Sequence, residues 1–212
     1  MAIAALSNFT VPLASDQSNS SQGLLMPKLQ YRFRVSFEGL GGPSGQNTVE
    51  LTKQVTEAAR PTVEYEDQTI DVYNSRIHYA GKHKWSPITI KLRDDVNGYV
   101  SKLIGLQNQR QFDFYEQSSA ASAGEYKFTL RVEMLDGGNG AHNPNVLETW
   151  EMYGCYIQKT TYGTLVYKNN EVVVIELAIV FDNAVQTGAT AGLGIRSEEH
   201  TSNSSHSQQS RM

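Results

Sequence analysis

IHYAGKHKWSPITIKLRDD, residues 77–95, carries three local instructions in one short run. Gly81 among polar residues predicts a turn, and Trp85 opens a predicted strand. Asp94 and Asp95 close the run with the side chain that accepts the first free N–H groups of a helix. Ser86, Ile88, Ile90 and Leu92 share one face of the strand, and Trp85, Thr89, Lys91 and Arg93 share the other. That period of two belongs to a sheet covered on one side. Pro87 cannot donate to a ladder, so it belongs at an edge or at the strand's first residues. After the Asp pair, Val96, Tyr99, Val100, Leu103 and Ile104 form a stripe at helical spacing. Strand therefore passes to helix almost without a loop.

Upstream, Tyr31, Phe33, Val35 and Phe37 alternate with Arg32, Arg34, Ser36 and Glu38, a first strand that ends in the glycine-rich turn 39–45. Residues 48–55 repeat the alternation, with Val49, Leu51 and Val55 on one side, and predict a second strand. Residues 62–68 and 70–79 add short extended elements before the Gly81 turn. Downstream, the helix is predicted to run on past Leu106, weakened by Gly98 and Gly105, and residues 118–124, SSAASAG, read as a loop. Residues 126–135 alternate strongly, residues 136–145 can only be a turn or loop, and 146–153 and 156–159 are two moderate strands. Residues 171–181 are the most β-committed run: Val173, Ile175, Leu177, Ile179 and Phe181 are all apolar, and the other face carries Glu176 as its charge. It should be a central strand. The expected fold is mainly β, an antiparallel sandwich or barrel of about eight strands with one α-helix.

The 212 residues are 39% hydrophobic and 19% charged, enough for one sizeable domain with tails. We expect an N-terminal arm at 1–26, small, polar and disordered or ordered on assembly, with Phe9, Val11 and Leu13 as candidate anchors. The β domain is expected at 27–187 and a disordered tail at 188–212. Within that tail, 196–212, RSEEHTSNSSHSQQSRM, matches the translation of a common sequencing-library adapter with one base lost, so we set it apart from fold and function. The net charge of −4 and a pI near 5.7 give no basic field to hold nucleic-acid phosphates. A single cysteine, Cys155, and the absence of a long apolar run fit a cytosolic product with no membrane segment.

No catalytic constellation emerges, and no cofactor or metal is expected. His78 and His83 flank Gly81 near Asp94 and Asp95, but the spacing is not that of a zinc or iron motif, and the Asp pair already has a capping role. Cys155 has no Cys-X-X-Cys partner and reads as a buried inert thiol. Glu64, Glu66 and Asp67 are more simply a polar strand face than an acid–base pair. Glu50, Glu64, Glu66 and Glu176 fall on predicted strands; copies assembled around an axis would turn such faces into a ring of negative charge.

The order of these pieces resembles the major tail tube proteins of contractile-tailed, myovirus-like bacteriophages. The resemblance rests on FRVSFEGL (33–40), TVELTKQVTEAARP (48–61), VYNSRIHYAGKHKW (72–85), ITIKLRDD (88–95), EYKF (125–128) and VVVIELAIVFDN (172–183). It implies a non-enzymatic virion protein whose hexameric rings close a continuous β-barrel and stack into a conduit for DNA ejection. The implied partners are further copies of the chain, the tail sheath, the baseplate and tail terminator proteins, and the tape measure protein and DNA transiently in the lumen. Localisation would be the tail tube of the virion, with assembly in the host cytoplasm. Glu50, Glu64 and Glu66 become the lumen-lining candidates, on the early strands that resemble the family's barrel-forming hairpin. The alternatives are the tube of a phage-derived contractile injection or type VI secretion apparatus, which shares the fold, and a carbohydrate-binding or enzymatic β-sandwich. The tail expectation is checked at the DNA level: resequencing the 3′ end of the gene should fail to recover codons for 196–212, and a genomic sequence encoding them sinks it.

Overall fold

A computed structural model describes residues 28–42, 48–136, 144–168 and 170–188. The expected arm at 1–26 and the suspected adapter segment 196–212 lie outside them, as does the rest of the tail beyond Gly188. Residues 28–32 form a short turn, in which Arg32 N–H donates to the Leu29 carbonyl at 3.2 Å. From Phe33 onward the chain is one β-rich unit. Among the described residues strand makes up 52% and helix 14%, so the mainly β class holds, but with two helices rather than one.

The strands are β1 (Phe33–Glu38), β2 (Val55–Ala58), β3 (Val63–Val72), β4 (Ser75–Trp85), β5 (Ile88–Arg93), β6 (Phe112–Asp113), β7 (Ser118–Ser119), β8 (Phe128–Leu135), β9 (Val146–Thr161), β10 (Val174–Val180) and β11 (Asn183–Thr187). The helices are α1 (Val49–Gln54) and α2 (Tyr99–Gln111). Seven strands make one antiparallel sheet in the order β1-β8-β9-β10-β5-β2, with β11 also paired to β9. The sheet does not close on itself as a barrel. The expected central strand is indeed central, because β10 pairs with β5 on one side and β9 on the other.

β9 organises the rest. Its first part pairs with β8 and β11, and its last residues, from Tyr156, pair with β10. The two half-sheets bury Val35, Phe37, Leu130, Val132 and Met152 from one side, and Ile88, Ile90, Leu92, Ile175, Leu177 and Ile179 from the other, in a single core. The two strands expected at 146–153 and 156–159 are thus one strand with a corner in it. Buried positions are even before the corner, Trp150 and Met152, and odd after it, Cys155 and Ile157. The β8–β9 ladder slips at the same place, between Phe128 and Leu130.

Gly154 makes the corner, at φ +68°. Asp182, where β10 gives way to β11, lies so close that a Cβ on Gly154 would overlap its carboxylate. Asp182 N–H donates to the Tyr153 carbonyl at 3.0 Å, and Lys127 Nζ donates to Asp182 Oδ2 at 2.6 Å. Cys155 is buried beside this corner and donates its S–H to the Met152 carbonyl. Burial pushes its thiol up to about 12, so it is an inert neutral group, as expected.

Several local expectations are corrected. Residues 49–54 are helical, because Leu51 and Val55 are four apart and turn to the core together, while Val49, which a strand would have buried beside Leu51, is exposed. Gly81 lies inside β4, not in a turn. Gly81 and Lys82 face the single residue Glu66 in a bulge, where a side chain on Gly81 would strike the Glu66 carbonyl. The turn falls instead at Tyr73 and Asn74, with Tyr73 at φ 43°. Trp85 ends β4 rather than opening the next strand. Ser118–Ser119, read as loop, pairs with Phe112–Asp113. Val96 lies before α2 and is exposed.

The helix start is as expected. Asp95 Oδ1 accepts N–H groups from Tyr99 (2.8 Å) and Val100 (3.2 Å), and Asp94 Oδ2 accepts from the Ser101 hydroxyl (2.7 Å). Gly98, the residue before the helix, has no side chain to cap it, so the pair reaches forward over it.

The corner can be tested by substitution. Gly154→Ala should cost about 1–3 kcal/mol, from the left-handed backbone and the displaced Asp182. In an Asp182→Ala background the same change should cost clearly less, as read by denaturant midpoints. Additive costs would mean that the two residues do not share the corner.

Candidate assembly surfaces

Two surfaces stand out once the core is accounted for. The first is the hairpin β3–β4. Among the described residues its ten- and eleven-residue strands pair only with each other, and they are exposed along nearly their whole length. The base is anchored where Trp85 packs on Phe181, ring centroids 5.5 Å apart. The register Ile70↔Ile77, Gln68↔Tyr79 and Val72↔Ser75 puts Ile70, Val72, Ile77 and Tyr79 on one side. Each is half exposed, between 45% and 54%. The other side is polar: Arg76 Nε donates to Asp71 Oδ1 at 2.7 Å, and His78 Nδ1 lies 2.9 Å from Asp67 Oδ2. An exposed two-stranded ribbon with an apolar side lacks the third layer that normally stabilises such a pair.

The second surface is the outer face of the half-sheet β1-β8-β9-β11. Its inner side chains point into the core, so Arg34, Glu38, Arg131, Glu133, Glu151 and Tyr153 fall on the opposite face. They form a cross-strand ladder. Arg34 Nε meets Glu133 Oε2 at 2.6 Å, and Arg131 reaches Glu151 through Nε at 2.9 Å and Glu38 through Nη1 at 3.0 Å. The Tyr153 hydroxyl donates to Glu151 Oε2 at 2.5 Å. That hydrogen bond, helped by Arg131, holds the Glu151 carboxyl below the usual carboxylate range. Among the described residues, both outer strands of this half-sheet, β1 and β11, have an open edge.

The sequence-predicted lumen residues divide between elements. Glu50 belongs to α1, a helix rather than the expected strand. Glu64 and Glu66 lie on β3 as expected and are exposed, near the base of the hairpin on its apolar side. Glu176 is exposed on β10, next to Lys91 across the ladder. Sequence reasoning missed the Arg34–Glu133–Arg131–Glu151 ladder, although each member is the polar half of an alternating strand.

Two grooves lie among the described residues. One, about 500 Å³, is lined by Asn108, Gln111, Phe112, Phe114 and Lys159 among others; a second, about 660 Å³, sits in loop 163–174. Neither lining contains a His or Cys, and Glu171 in the second is their one acid. Among the described residues no three of His, Cys, Asp and Glu gather as a metal cage, and no helix is long and apolar enough to cross a membrane. His78 and His83, the histidines of the opening run, are in the hairpin, the first beside Asp67 and the second against Trp85.

No protein-family model matches the sequence, and a search of curated proteins gives no match. Solved structures do match. A chain of the anti-feeding prophage baseplate, 6-fold symmetrised, superposes with a TM-score of 0.56 at 11% identity, covering 79% of this chain and 99% of its own. A chain of the PVC sheath-tube complex, an extracellular contractile injection system in the extended state, gives 0.55 at 14%, covering 84% and 99%. A chain of the anti-feeding prophage tube terminating cap gives 0.56 at 13%, covering 82% and 99%. The chain has the fold of contractile-injection-system components. The tail-tube resemblance read from the sequence is consistent with these neighbours, and at this identity the likeness is one of fold.

The ladder carries a pH prediction. A depressed carboxyl stabilises the fold fully above its unfolded value near 4.5 and loses that contribution as pH falls through the folded value. Glu151→Gln should therefore be less stable than wild type at pH 7, with the gap closing as the pH is taken well below 4.5. A gap that persists unchanged in acid would show that Glu151 acts by packing alone.

Proposed function

We propose that this chain is the tube subunit of a contractile, phage-type tail, forming rings that stack into a conduit. One observation carries the proposal: among the described residues the half-sheet β1-β8-β9-β11 is open at both edges, and its strands alternate in direction across the sheet. β1 and β11 therefore run antiparallel. Laid beside a second copy, β11 continues into the neighbour's β1 with the antiparallel order intact, and the pattern repeats until the ring closes. Exposed edges of this kind invite pairing, and a closed ring removes them.

Six copies, the symmetry of the baseplate neighbour, would close a barrel of 24 strands. At about 4.8 Å between strands, with an ordinary tilt of about 35–45°, that barrel is roughly 45–50 Å across its backbone, wide enough for duplex DNA. The apolar side of β3–β4 then packs on an adjacent copy, which supplies the layer the ribbon lacks in a single chain. A sheath would enclose the tube, as in the complex containing the second neighbour, and a baseplate and a terminating cap would bound its ends. Tape measure protein and DNA would occupy the lumen in turn, and assembly would take place in the host cytoplasm. A second reading, the tube of an extracellular injection machine, is favoured by the neighbours themselves, which come from such machines.

Purified protein at high concentration should show rings or stacked tubes by negative-stain microscopy, and a chain that stays monomeric sinks the proposal. An Ile70→Asp, Ile77→Asp variant should keep its circular dichroism and unfolding midpoint, because the hairpin is remote from the core, yet lose most of its rings.

A further inference from the structure

We infer that the outer face of β1-β8-β9-β11 is the channel wall, and that it is a charge-compensated wall rather than an acidic one. The inference rests on the ring reading above. If this half-sheet closes as the barrel, its two faces cannot be equivalent: one carries Val35, Phe37, Leu130, Val132 and Met152, which are packed against the other half-sheet. The other half-sheet, with β10, β5 and β2, must then lie outside the barrel. The remaining face, with Ser36, Thr129, Thr149 and the Arg–Glu ladder, looks inward.

The charge on that face is specific. Its strand residues bring two guanidinium groups, Arg34 and Arg131, and three carboxylates, Glu38, Glu133 and Glu151, in each copy. Every one of the five is held in an ion pair of 2.6–3.0 Å, and both arginines are committed to carboxylates on neighbouring strands. A polyanion passing such a wall meets no free basic fork to bind its phosphates, and only a weak net repulsion. This differs from a lumen lined by Glu50, Glu64 and Glu66. Glu50 is on a helix, and Glu64 and Glu66 share the side of the hairpin that the ring reading places against a neighbouring copy.

Single cysteines carrying a maleimide gold cluster test the wall, with wild type, whose own thiol is buried, as the unlabelled control. Ser36→Cys should place gold in the central hole of the ring, and Glu176→Cys, on the other half-sheet, at its rim. Gold from Ser36→Cys at the rim, or from Glu176→Cys on the axis, overturns the inference. Should Ser36→Cys not assemble, Glu38→Cys reads the same wall; rings lost in both variants, with the chains still folded, would mean that this face is a packed contact, which also overturns it. Absence of rings from wild type is seen before any labelling. That result fails the ring reading itself, and the wall with it.

Discussion

The structure depends on a close approach between Gly154 and Asp182. β9 runs for 16 residues, and a straight strand of that length, roughly 50 Å, could not turn both of its halves toward one compact core. The chain changes phase instead. Trp150 and Met152 point inward before Gly154, and Cys155 and Ile157 after it. The chain from β10 to β11 makes the matching change: Ile175, Leu177, Ile179 and Phe181 are buried up to Asp182, and Ala184 beyond it. Two neighbouring segments thus switch half-sheets at one level, and the absent Cβ of Gly154 leaves the space that Asp182 fills. Asp182 then holds the corner from both directions, through the Tyr153 carbonyl and Lys127.

Where burial is one-sided, the sequence was easy to read. In β1, β5, β8 and β10 burial alternates along most of each strand, and the inward apolar residues are the core. The Asp94–Asp95 pair was legible for a related reason, since the chemistry of a helix start is local. The failures share a cause as well. At 49–54 an apolar spacing of two and a spacing of four coexist, and it took the packing of Leu51 to decide between them. The corner in β9 looked like the end of one strand and the start of another, because a change of phase breaks the alternation on which strand reading relies. The hairpin gave no core signal at all: apolar and charged residues mix along β3 and β4, and Gly81 has the composition of a turn but the position of a bulge partner.

The polar ladder was hidden for a different reason. Arg34 and Glu133 are 99 positions apart, and Arg131 meets Glu151 across another ladder. Alternation says that each side chain faces away from the core, but not which other charges it will meet. Only the strand order joins them, and strand order is a property of the whole topology. Reasoning from single strands therefore picked out isolated carboxylates, such as Glu64 and Glu66, whereas the sheet pairs its carboxylates with arginines.

Charge pairing of this kind would suit the wall of the proposed ring, a surface enclosed without being packed. The ladder is only partly exposed, with Glu133 and Glu151 largely covered, so it supports the fold of the single chain as well. On the proposed channel wall it would also prevent two things. Unpaired arginines on a concave wall, repeated around a ring and from ring to ring, would add up to a polyanion-binding groove. Unpaired glutamates would repel one another as copies closed the ring, opposing the edge pairing of β1 with β11. In the proposed ring, pairing within each chain would reduce both effects, leaving one carboxylate in excess per copy. Under the proposed function the edges would then be left to backbone hydrogen bonding, which is indifferent to side-chain charge, and the apolar side of β3–β4 to packing.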